Sequence, residues 1–204
     1  MKEINLNSRG KYGSAKEKAL NPDERIKLYS KLKQQKDKII LLLGAYAGLR
    51  VGEIEQIRKT WIKRKSFAGV EVLAITIPKE DRNIRNKYLL WQNKSKKERT
   101  TYLFLKEDWL EVESHFNINE SINLSIRGIQ ERVYKFTSVI LFKKKSIHTL
   151  RATAQNYLKY ERSLIPEVIA VMLGHKDIRT TMKHYDSMNT PQAESYLIQQ
   201  FSNK

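Results

Sequence analysis

The stretch His148-Thr149-Leu150-Arg151, Leu173-Gly174-His175 and Thr180-Thr181-Met182-Lys183-His184-Tyr185 decides how this chain is read. Three of the four histidines fall between His148 and Tyr185, with an arginine one helical turn after the first of them. Packing gives an ordinary helical domain no reason to gather its histidines this way. Ser146 is placed to cap a helix that carries His148 and Arg151 on one face at i, i+3. Pro166 suits the first turn of a short helix, Gly174 suits its left-handed end, and His175 follows directly. Asp177 is placed to cap a further helix, Ile178 to Tyr185. Thr190-Pro191 opens a last amphipathic helix with Ala193, Tyr196, Leu197 and Phe201 on one side.

Outward from this stretch, composition narrows the choices. The 204 residues suit one well-buried domain. Thirty-nine Lys and Arg against 22 Asp and Glu leave a formal charge of +17. Such a field attracts a polyanion, and nucleic acid is the commonest one in a cell. The chain has no cysteine, which excludes disulfides, thiolate metal sites and cysteine nucleophiles. Met1 to Leu20 is polar, without the apolar core of a signal peptide. The longest apolar run, Ile39 to Leu49, is well short of the ~20 residues of a membrane span. The expectation is a soluble protein, cytoplasmic or nucleoid-associated, with no membrane partner.

Residues 1–20 read as a flexible basic tail. Asn21-Pro22-Asp23-Glu24 is a helix start with a capping box. Asp37 is placed to cap a second helix, apolar nearly all round from Ile39 to Ala47 and therefore central. Gly48-Leu49-Arg50 breaks it, and a third helix follows from Val51 to Ile57. Arg50 thus sits at a helix–helix junction beside a buried element, where a charge needs a partner or a purpose.

From Arg58 to Lys106 the period changes. Val70 to Pro78, Tyr88 to Trp91 and Thr100 to Leu105 read as three strands of a small antiparallel sheet. This segment holds 14 Lys and Arg against four acids, a net +10, and peaks at Asn93-Lys94-Ser95-Lys96-Lys97-Glu98-Arg99. Lys96, Lys97 and Arg99 are expected to touch DNA phosphates there. Beyond Asp108, Trp109, Val112 and Phe116 form one core stripe, and Ile129, Val133 and Phe136 another; His115 reads as a surface or helix-end histidine. The fold class is α+β, mainly helical, with a small three-stranded antiparallel sheet.

The residues suggest phosphodiester chemistry. Arg50 and Arg151 are suited to neutralise charge on non-bridging oxygens, because a guanidinium binds phosphate in a fork and keeps its proton. His148 and His175 can donate to the same oxygens or move a proton. The Tyr185 phenol can attack phosphorus. A metal nuclease would want a carboxylate cluster, which this stretch lacks, and no Gly-rich phosphate loop occurs. Zinc held by three histidines is disfavoured by the arginine and the basic surroundings. No cofactor is called for.

The set Ala47-Gly48-Leu49-Arg50-Val51-Gly52-Glu53, His148-x-x-Arg151, Leu173-Gly174-His175 and Tyr185 resembles the catalytic domain of tyrosine recombinases, the phage-integrase and Xer group. The match runs from about Asn21 to about Pro191. The resemblance implies a tyrosine-recombinase-like fold and site-specific cleavage and rejoining of double-stranded DNA through a 3′-phosphotyrosyl bond, without metal or nucleotide. It implies Tyr185 as nucleophile, Arg50 and Arg151 as the phosphate clamp, His175 as a hydrogen-bond donor and His148 as proton acceptor or orienting group. Lys94 falls best on the hairpin lysine that protonates the 5′ oxygen, with Lys96 and Lys97 as the alternatives, and Glu53 falls on an acidic position that braces the arginines. It further implies a homo-oligomer on DNA, in which the apolar side of the last helix either docks on a neighbouring copy or packs on its own domain, and a part in DNA integration, excision or resolution, in the host cell of a virus or mobile element. In many members the nucleophile lies nine residues after the Leu-Gly-His histidine; here that position is His184, and Tyr185 is one further. With some twenty residues before Asn21, the expected organisation is a tail, residues 1–20, and a catalytic domain, residues 21–204, without a separate N-terminal core-binding domain. The alternatives are type IB topoisomerase-like DNA relaxation and a non-catalytic DNA-binding protein of the same fold.

Overall fold

The structure is a computed structural model that describes residues 19–86, 89–94, 96–175 and 190–202. Helix α1 (Pro22–Lys31) starts as its sequence dictates. The Asn21 side chain accepts from the Glu24 amide at 2.8 Å, and the Glu24 carboxylate accepts from the Asn21 amide at 3.1 Å. Ala19 and Leu20, assigned above to the tail, are buried, and the Leu20 amide donates to Thr153 Oγ1 at 2.8 Å.

Helix α2 (Gln35–Ala45) is the centre of the core. Ile39 to Leu43 are fully buried, so beyond its first turn no face of the helix is left for solvent. The helix begins two residues before Asp37, after Gln34 at the N-cap. Asp37 lies in the first turn rather than at the cap, and it pairs with Arg132 at 2.8 Å. The chain leaves α2 through Gly48, whose φ of +70° is in the left-handed region. A Cβ at Gly48 would lie 2.2 Å from Leu173 Cδ2, so glycine lets the end of α2 close on a later helix. Helix α3 (Val51–Gln56) then runs off at an angle and buries Ile54.

The sheet is three-stranded and antiparallel, in the order β1 (Ile62–Phe67), β2 (Val70–Ile77), β5 (Arg99–Leu103). Its membership differs from the sequence expectation. Residues 89–92 form β4 (Leu89–Gln92), which pairs with β3 (Glu80–Asn86) in a separate two-stranded ribbon. Strand β1, Ile-Lys-Arg-Lys-Ser-Phe, was not foreseen. It is an edge strand whose charged residues hide the alternation, and such charge is how an exposed edge is kept from pairing further. The two-residue turn Ala68-Gly69, with φ of +48° and +81°, closes the β1–β2 hairpin.

Helix α4 (Lys106–Ile118) packs on β2 and α2, α5 (Ile126–Leu141) on α1, α2 and α3, and α6 (Ile147–Asn156) on α2. Trp109, Val112, Phe116, Ile129, Val133 and Phe136 are buried as expected. His115 lies in the last turn of α4, a helix-end histidine as expected, but it is buried rather than on the surface: it is 2% exposed, with its ring nitrogens facing Ser121 O and the Gln35 side chain. Helix α6 ends in a π-turn, Tyr157–Glu161. There Glu161 pairs with Arg25, whose guanidinium lies between the Tyr46 and Tyr157 rings, 4.7 Å from each centroid. Helix α7 (Pro166–Leu173) packs on β5, and α8 (Thr190–Ser202) packs on α7 and β1. The apolar side of α8 thus folds back on its own domain: Ala193 and Leu197 are buried, and Phe201 stacks parallel to Phe67 at 6.2 Å. Among the described residues no helix is long and apolar enough to cross a membrane.

Candidate active site

The site is built on the end of α7. Gly174 adopts φ of +63°, and the chain closes in a Schellman motif. The Gly174 amide donates to Val171 O at 3.1 Å, and the His175 amide to Ala170 O at 3.0 Å. Any helix leaves its last carbonyls without helical partners, and their partial negative charge favours cations. With Ala170 and Val171 satisfied by the motif, the next three carbonyls each receive a different arginine. Arg99 Nη1 donates to Met172 O, Arg151 Nη2 to Leu173 O, and Arg50 Nη2 to Gly174 O at 2.9 Å. Arg151 Nη1 also donates to Gly48 O, which ties the α2–α3 junction to the same point.

Among the described residues one carboxylate serves this cluster. Glu53 Oε1 accepts from Arg50 Nη1 at 2.9 Å, while Oε2 accepts from the Arg50 amide at 2.7 Å and from Arg99 Nη2 at 2.6 Å. Three guanidinium groups against one carboxylate leave an excess of positive charge in a region sheltered from water. Burial, and then the charges of Arg50 and Arg99, push the Arg151 guanidinium down to about 9. A guanidinium does not give up its proton in a protein, so the same free energy becomes a demand for a bound anion. His175 stands at the exposed rim. Partial desolvation, and then the charges of Arg151, Arg50 and Arg99, push its imidazole down to about 4, so it is neutral in the free protein at pH 7.

In front of the cluster lies a cleft of about 410 Å³, lined by Arg50, Lys94, His148 and Arg151 together with Gln92 and the Leu49–Glu53 segment. Four of the six residues expected to be catalytic therefore share one cleft. His175 adjoins it through Gly174, whose carbonyl Arg50 holds. His148 is exposed in the first turn of α6, one turn before Arg151 on the same helix. Lys94 is exposed, next to Asn93, whose side chain donates to Lys97 O at 2.8 Å. Tyr185, with His184 and the helix expected from Ile178, lies outside the described residues.

Lys96 and Lys97 are exposed as DNA contacts would be, but Arg99 is not. It is 3% exposed and pairs with Glu53 beneath the cleft. The sheet decides this. Arg99 pairs in register with Ile77, and alternate residues of β5 share a face. Arg99 therefore points the same way as Thr101, whose hydroxyl donates to Ala47 O at 2.8 Å at the end of α2. The sequence held a signal for this, the apolar Leu103 at the same alternation, masked by the basic run before it.

No protein-family model and no curated protein matches the chain. Solved structures do. A XerH site-specific recombinase bound to difH substrate, in a pre-cleavage complex, superposes with a TM-score of 0.59 at 16% identity, covering 83% of this chain and 51% of that one. The chain has a tyrosine-recombinase-like fold. XerA recombinase gives a TM-score of 0.55 at 18% identity, with 89% and 64% covered, and the XerH post-cleavage complex on palindromic difH gives 0.57 at 15%, with 91% and 51% covered. The chain thus spans about half to two-thirds of the length of these recombinases, and it shares with them the helical architecture around a small antiparallel sheet.

Proposed function

We propose that the chain is a tyrosine-type site-specific DNA recombinase, an enzyme that cleaves and rejoins double-stranded DNA. The observation that carries this reading is the arrangement of Arg50 and Arg151, fixed by the Gly174 and Leu173 carbonyls, behind a cleft that Lys94 and His148 also line. In the proposed step the Tyr185 oxygen attacks the scissile phosphorus and the bond from phosphorus to the 5′ oxygen breaks. The phenol proton passes to His148, and Lys94 supplies a proton to the leaving 5′ oxygen. Arg50 and Arg151 neutralise the non-bridging oxygens, and His175 donates to one of them. Rejoining reverses these transfers when a 5′-hydroxyl attacks the tyrosyl phosphate. The exposed Lys96 and Lys97 beside the cleft hold the DNA backbone. The chain is further proposed to act in the cytoplasm, as an assembly of copies on paired sites, in the integration, excision or resolution of a mobile element.

A nicked suicide duplex carrying the target site tests the reading, because the nicked strand diffuses away after cleavage and traps the protein–DNA bond. The expected result is a covalent adduct on a denaturing gel, absent from Tyr185→Phe. An adduct that persists in that variant, or maps to another tyrosine, overturns the nucleophile assignment.

A further inference from the structure

We propose that Arg99 is a positioning residue, holding the Glu53 carboxylate from beneath the cleft so that Arg50 keeps its charge available to an anion. The proposal rests on the reading of this cleft as a phosphodiester site. Glu53 is three residues from Arg50, at the start of the same short helix, and it accepts from both the amide and the guanidinium of Arg50. Left alone, the two would form a neutral pair, and an incoming phosphate would have to compete with a carboxylate already in place. Arg99 changes that balance. Its Nη2 takes Glu53 Oε2 at 2.6 Å, on the side away from Arg50 Nη1. One carboxylate is then shared by two guanidinium groups, and a net positive charge remains on the pair that faces the cleft.

A second set of contacts points the same way. Arg99 Nη1 donates to Met172 O, the carbonyl next to those that hold Arg151 and Arg50. Its aliphatic stem runs under Gly174, where an added Cβ would lie 2.6 Å from Arg99 Cδ. Arg99 therefore links the carboxylate that orients Arg50 to the helix end that orients both cleft arginines. Stability alone is a poor reason for such a residue. Arg99 is 3% exposed and its Nε finds no hydrogen-bond partner among the described residues. Well-packed apolar residues commonly replace a buried ion pair without loss of stability. Being buried, Arg99 acts through Glu53 and Met172, without touching DNA itself.

The test uses the full chain and two readouts, with melting curves to confirm folding. One is the titration of the His175 imidazole, followed by NMR in the free protein; the charges facing it are those of Arg151, Arg50 and Arg99. The other is the dissociation constant of inorganic phosphate at the cleft. Arg99→Met is expected to move the His175 titration upward and to weaken phosphate about tenfold, as losing a charge-assisted contact does. Arg99→Lys, which keeps the charge, stays near wild type in both. Arg99→Met/Glu53→Gln removes both charges of the pair, frees Arg50 from its carboxylate and restores phosphate binding to within about fivefold of wild type. A folded Arg99→Met with unchanged titration and unchanged phosphate affinity overturns the proposal. So does a double variant whose affinity loss exceeds fivefold, and that comparison carries the test by itself if Arg99→Met does not fold. Failure of the wild type to bind phosphate would count against the functional reading, while the His175 titration still decides the role of Arg99.

Discussion

Replacing Gly174 by alanine should damage this protein in a way that can be worked out in advance. Two costs add. At φ of +63° an L side chain sits in the left-handed region, which costs about 1–2 kcal/mol. The new Cβ would also lie 2.6 Å from Arg99 Cδ and 2.9 Å from Arg99 Nε. Arg99 cannot swing aside freely, because its guanidinium is held by Glu53 and Met172 O. Overpacking of this kind costs about 1–3 kcal/mol. The sum, about 2–5 kcal/mol, corresponds to a Tm lower by roughly 4–20 °C for a domain of this size. Gly52→Ala is the matched control from the same cleft: its Cβ would meet nothing within 4 Å among the described residues and its φ is not left-handed. Reducing the freedom of the unfolded chain should make that variant more stable by about 0.4–1 kcal/mol. Calorimetric melting and urea midpoints measure both. A Gly174→Ala protein that melts with the wild type, or a Gly52→Ala protein that falls alongside it, would refute the reasoning about the helix end.

Two further outcomes are expected. Burial, followed by the charge of Glu107, pushes the Asp108 carboxyl up to about 6, and its Oδ2 has no hydrogen-bond partner among the described residues. The folded protein therefore binds more protons than the unfolded chain between about pH 4 and 6, and this group's contribution to stability is lost as pH rises through that window. Asp108→Asn should be more stable than wild type by up to about 3 kcal/mol at pH 7.5, with the gap closing near pH 4; urea midpoints at both pH values giving a constant gap would exclude this cause. Arg151→Ala should abolish covalent adduct formation on the suicide duplex while retaining most salt-dependent DNA binding in a filter or anisotropy assay, because many basic side chains share that load. Equal loss of both would show that Arg151 acts mainly as a binding residue.

What the sequence determined by itself is the set of elements with strong local signals and the identity of the chemistry-bearing groups. The capping box at Asn21, the all-round apolar α2, the left-handed Gly48 and Gly174, and the α7 and α8 helices follow from short-range rules, since each depends on residues within one or two turns. Arg50, His148, Arg151 and His175 stand out because their residue types suit one kind of phosphate chemistry, and Lys94 through the likeness of its hairpin to a family motif. Tertiary structure decided what depends on distant pairing. The charged edge strand β1 exists because β2 offers it a partner, and the segment Leu89–Gln92 pairs with β3 outside the main sheet. His115, polar in sequence, is buried because Ser121 and Gln35 come to its ring. Arg99 is the sharpest case. In the sequence it ends a basic run and reads as a surface contact, yet its register opposite Ile77 turns it beneath the cleft, onto Glu53 and the α7 carbonyls. A residue's type is local information, whereas the face it shows and the charge that meets it are set by strand register and helix ends brought together from far along the chain.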